Sequence, residues 1–260
     1  MASRPVPPIE DRACAGYKTD LRLRLHRPPP RRAAPPVILY LHGGTFVSTC
    51  SEAEQRARDI AERLDAVVVA PAYSLASESP FPAAAEDVYA ALRWIQSNAV
   101  SGGWSKKVAV IGEEAGGNLA AVVAMMARDR GGPSLLAQVL CNPMLDPTLS
   151  SQSMQTAGEA TQACSRAYLA YLPFCSDRTH PYAAPLLCTR LANLPPALIF
   201  SAAGDALRDE AETYGAHLIS AGVKTQVVRQ PQREWSEATW RELIAFLVPL
   251  LNPLRHRTHP

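Results

Sequence analysis

The stretch that decides the fold is residues 107–129, KVAVIGEEAGGNLAAVVAMMARD. It opens on an apolar run, KVAVI, of the length and β-branched content of a buried strand. It closes on a small-residue helix over 114–129. Between them Gly112, Glu113, Glu114, Ala115, Gly116 and Gly117 must turn the chain sharply from one element into the other. Glycines at both ends of such a turn let backbone pass close to backbone. An ionisable residue, Glu114, stands at its apex.

Working outward, strands and helices alternate. Apolar runs at 36–41 (PVILYL), 66–70 (AVVVA), 135–141 (LLAQVLC), 197–202 (ALIFSA) and 223–228 (VKTQVV) read as strands. Helices are predicted over 52–63, 208–221 and 237–251. Another starts after Pro82, where Val88, Leu92 and Ile95 recur at helical spacing. Alternation of this kind predicts an α/β fold with a mostly parallel sheet and helices on both faces. TDLRLRLH (19–26) reads as a half-exposed edge strand with its arginines on the wet face. Prolines crowd residues 1–35, a poorly packed lead-in. Residues 36–252 form the domain, and 253–260 a polar tail. Residues 147–190 break the rhythm and carry SRAYLAYLPF, which reads as a small lid inserted between two core strands.

Composition narrows the function. The chain has 260 residues and is 47% hydrophobic, with a formal net charge of +2. That length suits one large domain at a prior of about 150 residues per domain. The charge balance gives no reason to expect nucleic acid or an anionic membrane as partner. No apolar run approaches the roughly 18 residues of a membrane span. The start, MASRPVPPIEDR, lacks the apolar stretch of a signal peptide, so a cytoplasmic location is expected. Six cysteines lie at 14, 50, 141, 164, 175 and 188, without zinc spacing. A bridge among the last three is compatible with the spacing, but free thiols in a reducing compartment are the expectation. Neither metal nor cofactor is expected, since GEEAGG is not a GxGxxG fingerprint.

Four stretches occur together: LHGGTF (41–46), PAYSLASESPFPAAAEDV (71–88), GEEAGGNLA (112–120) and GDALRDEAETY (204–214). In this order and at these distances they resemble the hormone-sensitive-lipase branch of the α/β-hydrolases, the carboxylesterases with an HGG motif. The resemblance spans roughly residues 36 to 250. It implies the α/β-hydrolase fold, with the backbone N–H groups of Gly43, Gly44 and Ala115 as oxyanion-hole donors. It also implies that Asp205 is the acid of a catalytic triad. A tight turn after a strand is the plainer use of the HGG glycines.

The sequence departs from that family twice. The family turn is G-x-S-x-G, and here Glu114 replaces the serine. The family histidine follows the last strand, and here RQPQREWSEATW carries none. Arg233 or Trp235 falls at that place, depending on a short deletion. His217, in the preceding helix, reads as a helix-surface or core residue, His26 as a surface residue, and His42 as shaping the HGG loop. His256 and His259 lie in the tail, and His180 at the far end of the lid. Serine needs a base and the base an orienting acid, so ordinary serine-esterase activity is not expected.

Three functions follow from this pattern. The leading expectation is a non-hydrolytic catalyst, of isomerase, lyase or cyclase type, with Glu114 as acid or base on a small carbonyl substrate. The alternatives are a receptor-like pseudoenzyme for a small apolar ligand and a residual ester hydrolase. A blander reading pairs Glu114 with Arg233 and Asp205 in a salt-bridge network. Phe46, Tyr73, Tyr168, Leu172 and Phe174 are the candidate pocket lining, with an ordinary core reading beside it. The expected partner is a small molecule, and the resemblance adds pairing as a homodimer through the last strand or helix.

Overall fold

A computed structural model of the protein describes residues 9–29 and 34–252. Residues 1–8 and 30–33 of the proline-rich lead-in and the whole tail, with His256 and His259, lie outside the described residues.

The chain runs β1 (Glu10–Ala15), β2 (Asp20–His26), β3 (Val37–Leu41), α1 (Ala53–Leu64), β4 (Val67–Pro71), α2 (Ala83–Ser97), α3 (Ala99–Gly102), β5 (Val108–Glu113) and α4 (Ala115–Asp129). It continues through β6 (Gln138–Cys141), α5 (Gln152–Gln155), α6 (Glu159–Tyr171), β7 (Ala197–Ala202), α7 (Arg208–Ser220), β8 (Thr225–Gln230) and α8 (Glu237–Leu251). The eight strands form one sheet in the order β1-β2-β4-β3-β5-β6-β7-β8. β1 and β2 are antiparallel, β2 pairs antiparallel with β4, and the rest are parallel. The fold is the α/β-hydrolase fold, as the sequence implied.

The central strands are apolar on both sides because both faces are covered. Leu39, Leu41, Val108 and Val110 point into a core shared with α2, α4 and α7. Ile38, Tyr40, Ala109 and Ile111 point the other way, against α1 and α8. β2 is one-sided: Leu21, Leu23 and Leu25 are buried while Arg22 and Arg24 face out. This is the alternation that marks an edge-proximal strand. The outer strand β1 was not anticipated. It is mostly exposed and is held by its pairing with β2.

One buried carboxylate fastens this edge to the body. Asp87, on α2, accepts hydrogen bonds from Tyr17 N–H at 2.7 Å, Ser74 N–H at 2.9 Å and Ser74 Oγ–H at 2.5 Å. It thereby joins the β1–β2 turn, the loop after β4 and the helix. The parallel strands all end on the same side of the sheet. The loops there, after β3, β5, β7 and β8, converge on one crevice.

Candidate functional site

The turn between β5 and α4 has the geometry its glycines suggested. Glu114 sits at φ +53°, ψ −113°, a conformation that L-residues rarely adopt and that costs on the order of 1–3 kcal/mol. It persists because its neighbours leave no room for anything else. A Cβ on Gly116 would lie 2.1 Å from the Leu41 carbonyl oxygen, and one on Gly112 would lie 2.0 Å from that of Gly116. Glu114 N–H donates to Cys141 O at 2.9 Å, and its carbonyl accepts from Met144 N–H at 3.0 Å. Asn118, fully buried one turn into α4, donates from Nδ2 to Met144 O and Ala183 O at 2.8 and 3.1 Å. The apex side chain is therefore aimed into the crevice by a rigid backbone.

There it meets the loop after β3. Gly44 N–H donates to Glu114 Oε2 at 3.0 Å, and the neighbouring Thr45 N–H also helps to lower that carboxyl's pKa. A Cβ on Gly43 would lie 3.3 Å from Oε2, so that glycine supplies a close wall. The loop keeps its shape through His42. Its ring stacks on Tyr73 at 4.4 Å between centroids, and Tyr73 Oη–H donates to His42 O at 2.7 Å.

Arg233, from the loop after β8, completes the arrangement. Its Nη2–H donates to Glu114 Oε1 at 2.6 Å, and its Nε lies 2.8 Å from Asp205 Oδ2. Asp205, after β7, is steadied by Leu207 N–H at 2.8 Å from Oδ1. One guanidinium thus bridges two carboxylates. Burial pushes Glu114 upward in pKa, but Arg233 and the Gly44 and Thr45 N–H groups more than offset it and hold the carboxyl below its ordinary range. Burial disfavours the charge on Arg233, yet Asp205 and Glu114 raise its pKa on balance. The structure thus resolves which residue stands beside Asp205. Trp235 turns away: its Nε1–H donates to Glu113 Oε2 at 3.2 Å, and the Arg56 guanidinium lies 4.4 Å from its ring centre.

A second, half-buried carboxylate lies immediately behind the elbow. Glu113 accepts from Tyr40 Oη–H at 2.6 Å and pairs with Arg56 at 3.4 Å. Burial raises its pKa against the pull of Arg56. Sequence reasoning missed this network. Only the doubled Glu113–Glu114 hinted at it.

The candidate pocket residues divide. Phe46, Tyr73, Tyr168 and Leu172 are all buried in one cluster, where Phe46 stacks on Tyr171 at 3.9 Å. Phe174 is 65% exposed and does not join them. In the segment 147–190, α6 lays Tyr168 and Tyr171 onto this cluster. Of the remaining histidines, His180 and His217 are exposed, while His26 is buried at the end of β2, against its surface reading. All six cysteines are free. Among the described residues no cluster of metal-binding side chains is present, and no helix is long and apolar enough to cross a membrane.

A strained elbow after the central strand, a glycine loop donating into it and an acid after the next-but-one strand define an α/β-hydrolase site. Glu114 stands at the elbow, and Arg233 stands beside Asp205. The chain matches the family described as alpha/beta hydrolase fold over residues 38–236, and it belongs to that family of enzymes. Carboxylesterase NlhH of Mycobacterium tuberculosis is 38% identical over 234 residues, covering 86% of this chain and 73% of that protein. Esterase LipI of the same organism is 39% identical over 246 residues, covering 87% and 75%. Among solved structures, the Pyrobaculum calidifontis esterase superposes with a TM-score of 0.85 at 34% identity, covering 97% of this chain and 87% of that one.

These relatives correct the leading functional expectation. Chains this similar over most of their length are named carboxylesterase and esterase, so the chemistry indicated is ester hydrolysis and not isomerisation, lysis or cyclisation. The geometry separately argues against Glu114 as an acid–base catalyst. An acid–base catalyst needs its carboxylate free to face a substrate proton. Here both oxygens of Glu114 are engaged by the protein's own donors.

Proposed function

We propose that this chain is a carboxylesterase-family protein whose substrate class is that of ester hydrolases but whose serine route is closed by an internal ion triad. One observation carries the reading: the Glu114 carboxylate accepts from Gly44 N–H at 3.0 Å and is clamped by Arg233 at 2.6 Å. Donors suited to a tetrahedral oxyanion are spent on a resident anion.

The chemistry follows from the residue types. Acyl transfer by this fold requires an activated hydroxyl, a base to take its proton, and free oxyanion donors. A guanidinium stays protonated throughout the working pH range, so Arg233 supplies charge and orientation but accepts no proton. An ionised, ion-paired carboxylate is a poor nucleophile, and among the described residues no imidazole pairs with Asp205 to activate water for the second step.

The test uses short p-nitrophenyl esters with the full chain. The wild type is expected to show no saturable turnover above background. Glu114→Ser alone and Arg233→His alone are expected to stay near background, because each restores half of a couple. The paired substitution is expected to exceed either by on the order of 100-fold, the lower end of what a positioned base contributes. Saturable hydrolysis by the wild type that Glu114→Gln abolishes would overturn the reading.

A further inference from the structure

The groups around Glu114 are arranged as a receptor, and the receptor is filled by a tethered ligand. We infer that the crevice above the elbow is a binding site for a small free monocarboxylate, which takes the place of the Glu114 carboxylate when that group is absent from it. The inference rests on the reading of the centre as a closed ion triad.

Three features support it. First, the two oxygens of one carboxylate have separate donors: Oε2 takes Gly44 N–H at 3.0 Å, and Oε1 takes Arg233 Nη2–H at 2.6 Å. Backbone donors on one side and a guanidinium on the other are a recurrent way to hold a planar anion. Second, the wall is shaped for close approach, since Gly43 leaves open the place where a Cβ would stand 3.3 Å from Oε2. Third, the site continues into a cavity of about 470 Å³ that reaches from Gly43, Gly44 and Glu114 to Ser48, Thr49 and Trp235. Asn142 also lines it, a residue 6% exposed whose Oδ1 has no hydrogen-bond partner. A carboxylate seated on the donors has room there for a short polar substituent.

Charge sets the strength. Asp205 already lies 2.8 Å from Arg233 Nε and offsets part of the guanidinium charge, so affinity for a free acid is in the millimolar range. A tethered carboxylate acts at a high effective concentration and excludes such a ligand from the wild type.

The experiment measures melting temperature for wild type, Glu114→Ala and Glu114→Gly in sodium acetate or propionate against sodium chloride at equal ionic strength and pH 7. The expected result is a saturable rise of several degrees with either carboxylate in both variants, none with chloride, and none in the wild type. Adding Arg233→Gln to Glu114→Ala should abolish the rise. A folded variant that responds equally to chloride and acetate, or not at all, overturns the inference. So does a rise that survives Arg233→Gln. Should both variants fail to fold in chloride, refolding in acetate is expected to recover them, and failure there also overturns it. Ester turnover by the wild type would defeat the closed-centre reading while leaving this result standing. A folded Glu114→Ala without a carboxylate response would do the reverse.

Discussion

Arg233→Gln is the perturbation that most directly tests the ion triad. It removes the cation that bridges Glu114 and Asp205 and leaves the two carboxylates without it. Breaking a fully buried pair by deleting one partner costs about 3–5 kcal/mol. The Arg233 side chain is 44% exposed, whereas those of Glu114 and Asp205 are 21% and 2% exposed. Solvent at the guanidinium screens the pair, so the cost falls to about 2 kcal/mol. For a chain of this size that lowers the melting temperature by about 4–8 °C.

The pH dependence is the sharper part. In the wild type, burial pushes Glu114 up and Arg233, Gly44 and Thr45 pull it further down, leaving the carboxyl below its ordinary value. A depressed folded pKa gives stability that is present above the unfolded value, about 4.3, and is lost as pH falls through the folded value. Without Arg233, only the Gly44 and Thr45 N–H groups oppose burial, and the Glu114 pKa rises from its wild-type position. Its ionisation then contributes less to stability at neutral pH, a difference that acid removes. The gap between wild type and variant is therefore widest near pH 7 and narrows below about pH 5. Thermal melts from pH 4 to 8 measure it. A gap that stays constant across that range, or a variant as stable as the wild type at pH 7, would refute the argument.

Asp87→Ala strands the Tyr17 and Ser74 donors and should cost about 3 kcal/mol, read as a lower denaturation midpoint with β1 and β2 losing amide protection first. Asn118→Ala leaves the carbonyls of Met144 and Ala183 unpaired beside the elbow and should cost about 2 kcal/mol by the same assay. Gly116→Ala drives a Cβ to 2.1 Å from the Leu41 carbonyl oxygen, and soluble yield should fall sharply relative to wild type.

Much of this architecture is written in local pattern. β7 occupies 197–202, the apolar run ALIFSA, because a strand buried on both faces needs an uninterrupted apolar segment. β2 is legible for the opposite reason, since DLRLRLH alternates with the period of a half-exposed strand. β1 was not legible: EDRACA has neither pattern, and only the register from Glu10↔Leu25 to Ala15↔Asp20 makes it a strand. The short helix α3 was missed as well, a single turn that continues from the end of α2. At the site, Glu114 and Asp205 were found through the family motifs that GEEAGG and GDALRDE resemble. Arg233 and Trp235 are two residues apart in a loop with no periodicity, and only the fold shows that one faces Asp205 while the other packs over Arg56. Phe174, grouped by sequence with Tyr168 and Leu172, falls beyond the end of α6 and faces solvent.

The two departures from the esterase pattern are one physical change. A glutamate placed at the elbow with a neutral imidazole beyond it would stand near Asp205 with no positive partner, in a crevice that disfavours charge. An arginine beside Asp205 with serine at the elbow would satisfy one carboxylate and leave the Nη2 edge, which now serves Glu114, without a partner. Together, glutamate and arginine satisfy each other and also occupy the Gly44 donor. The coupling energy between positions 114 and 233 should therefore be large and favourable, on the order of 1–3 kcal/mol for residues sharing a charge network. A double-mutant cycle with Glu114→Gln and Arg233→Gln measures it by denaturation at pH 7. Additive effects within about 0.3 kcal/mol would mean that the pair forms no energetic unit, and that the closed centre owes nothing to the bridge between them.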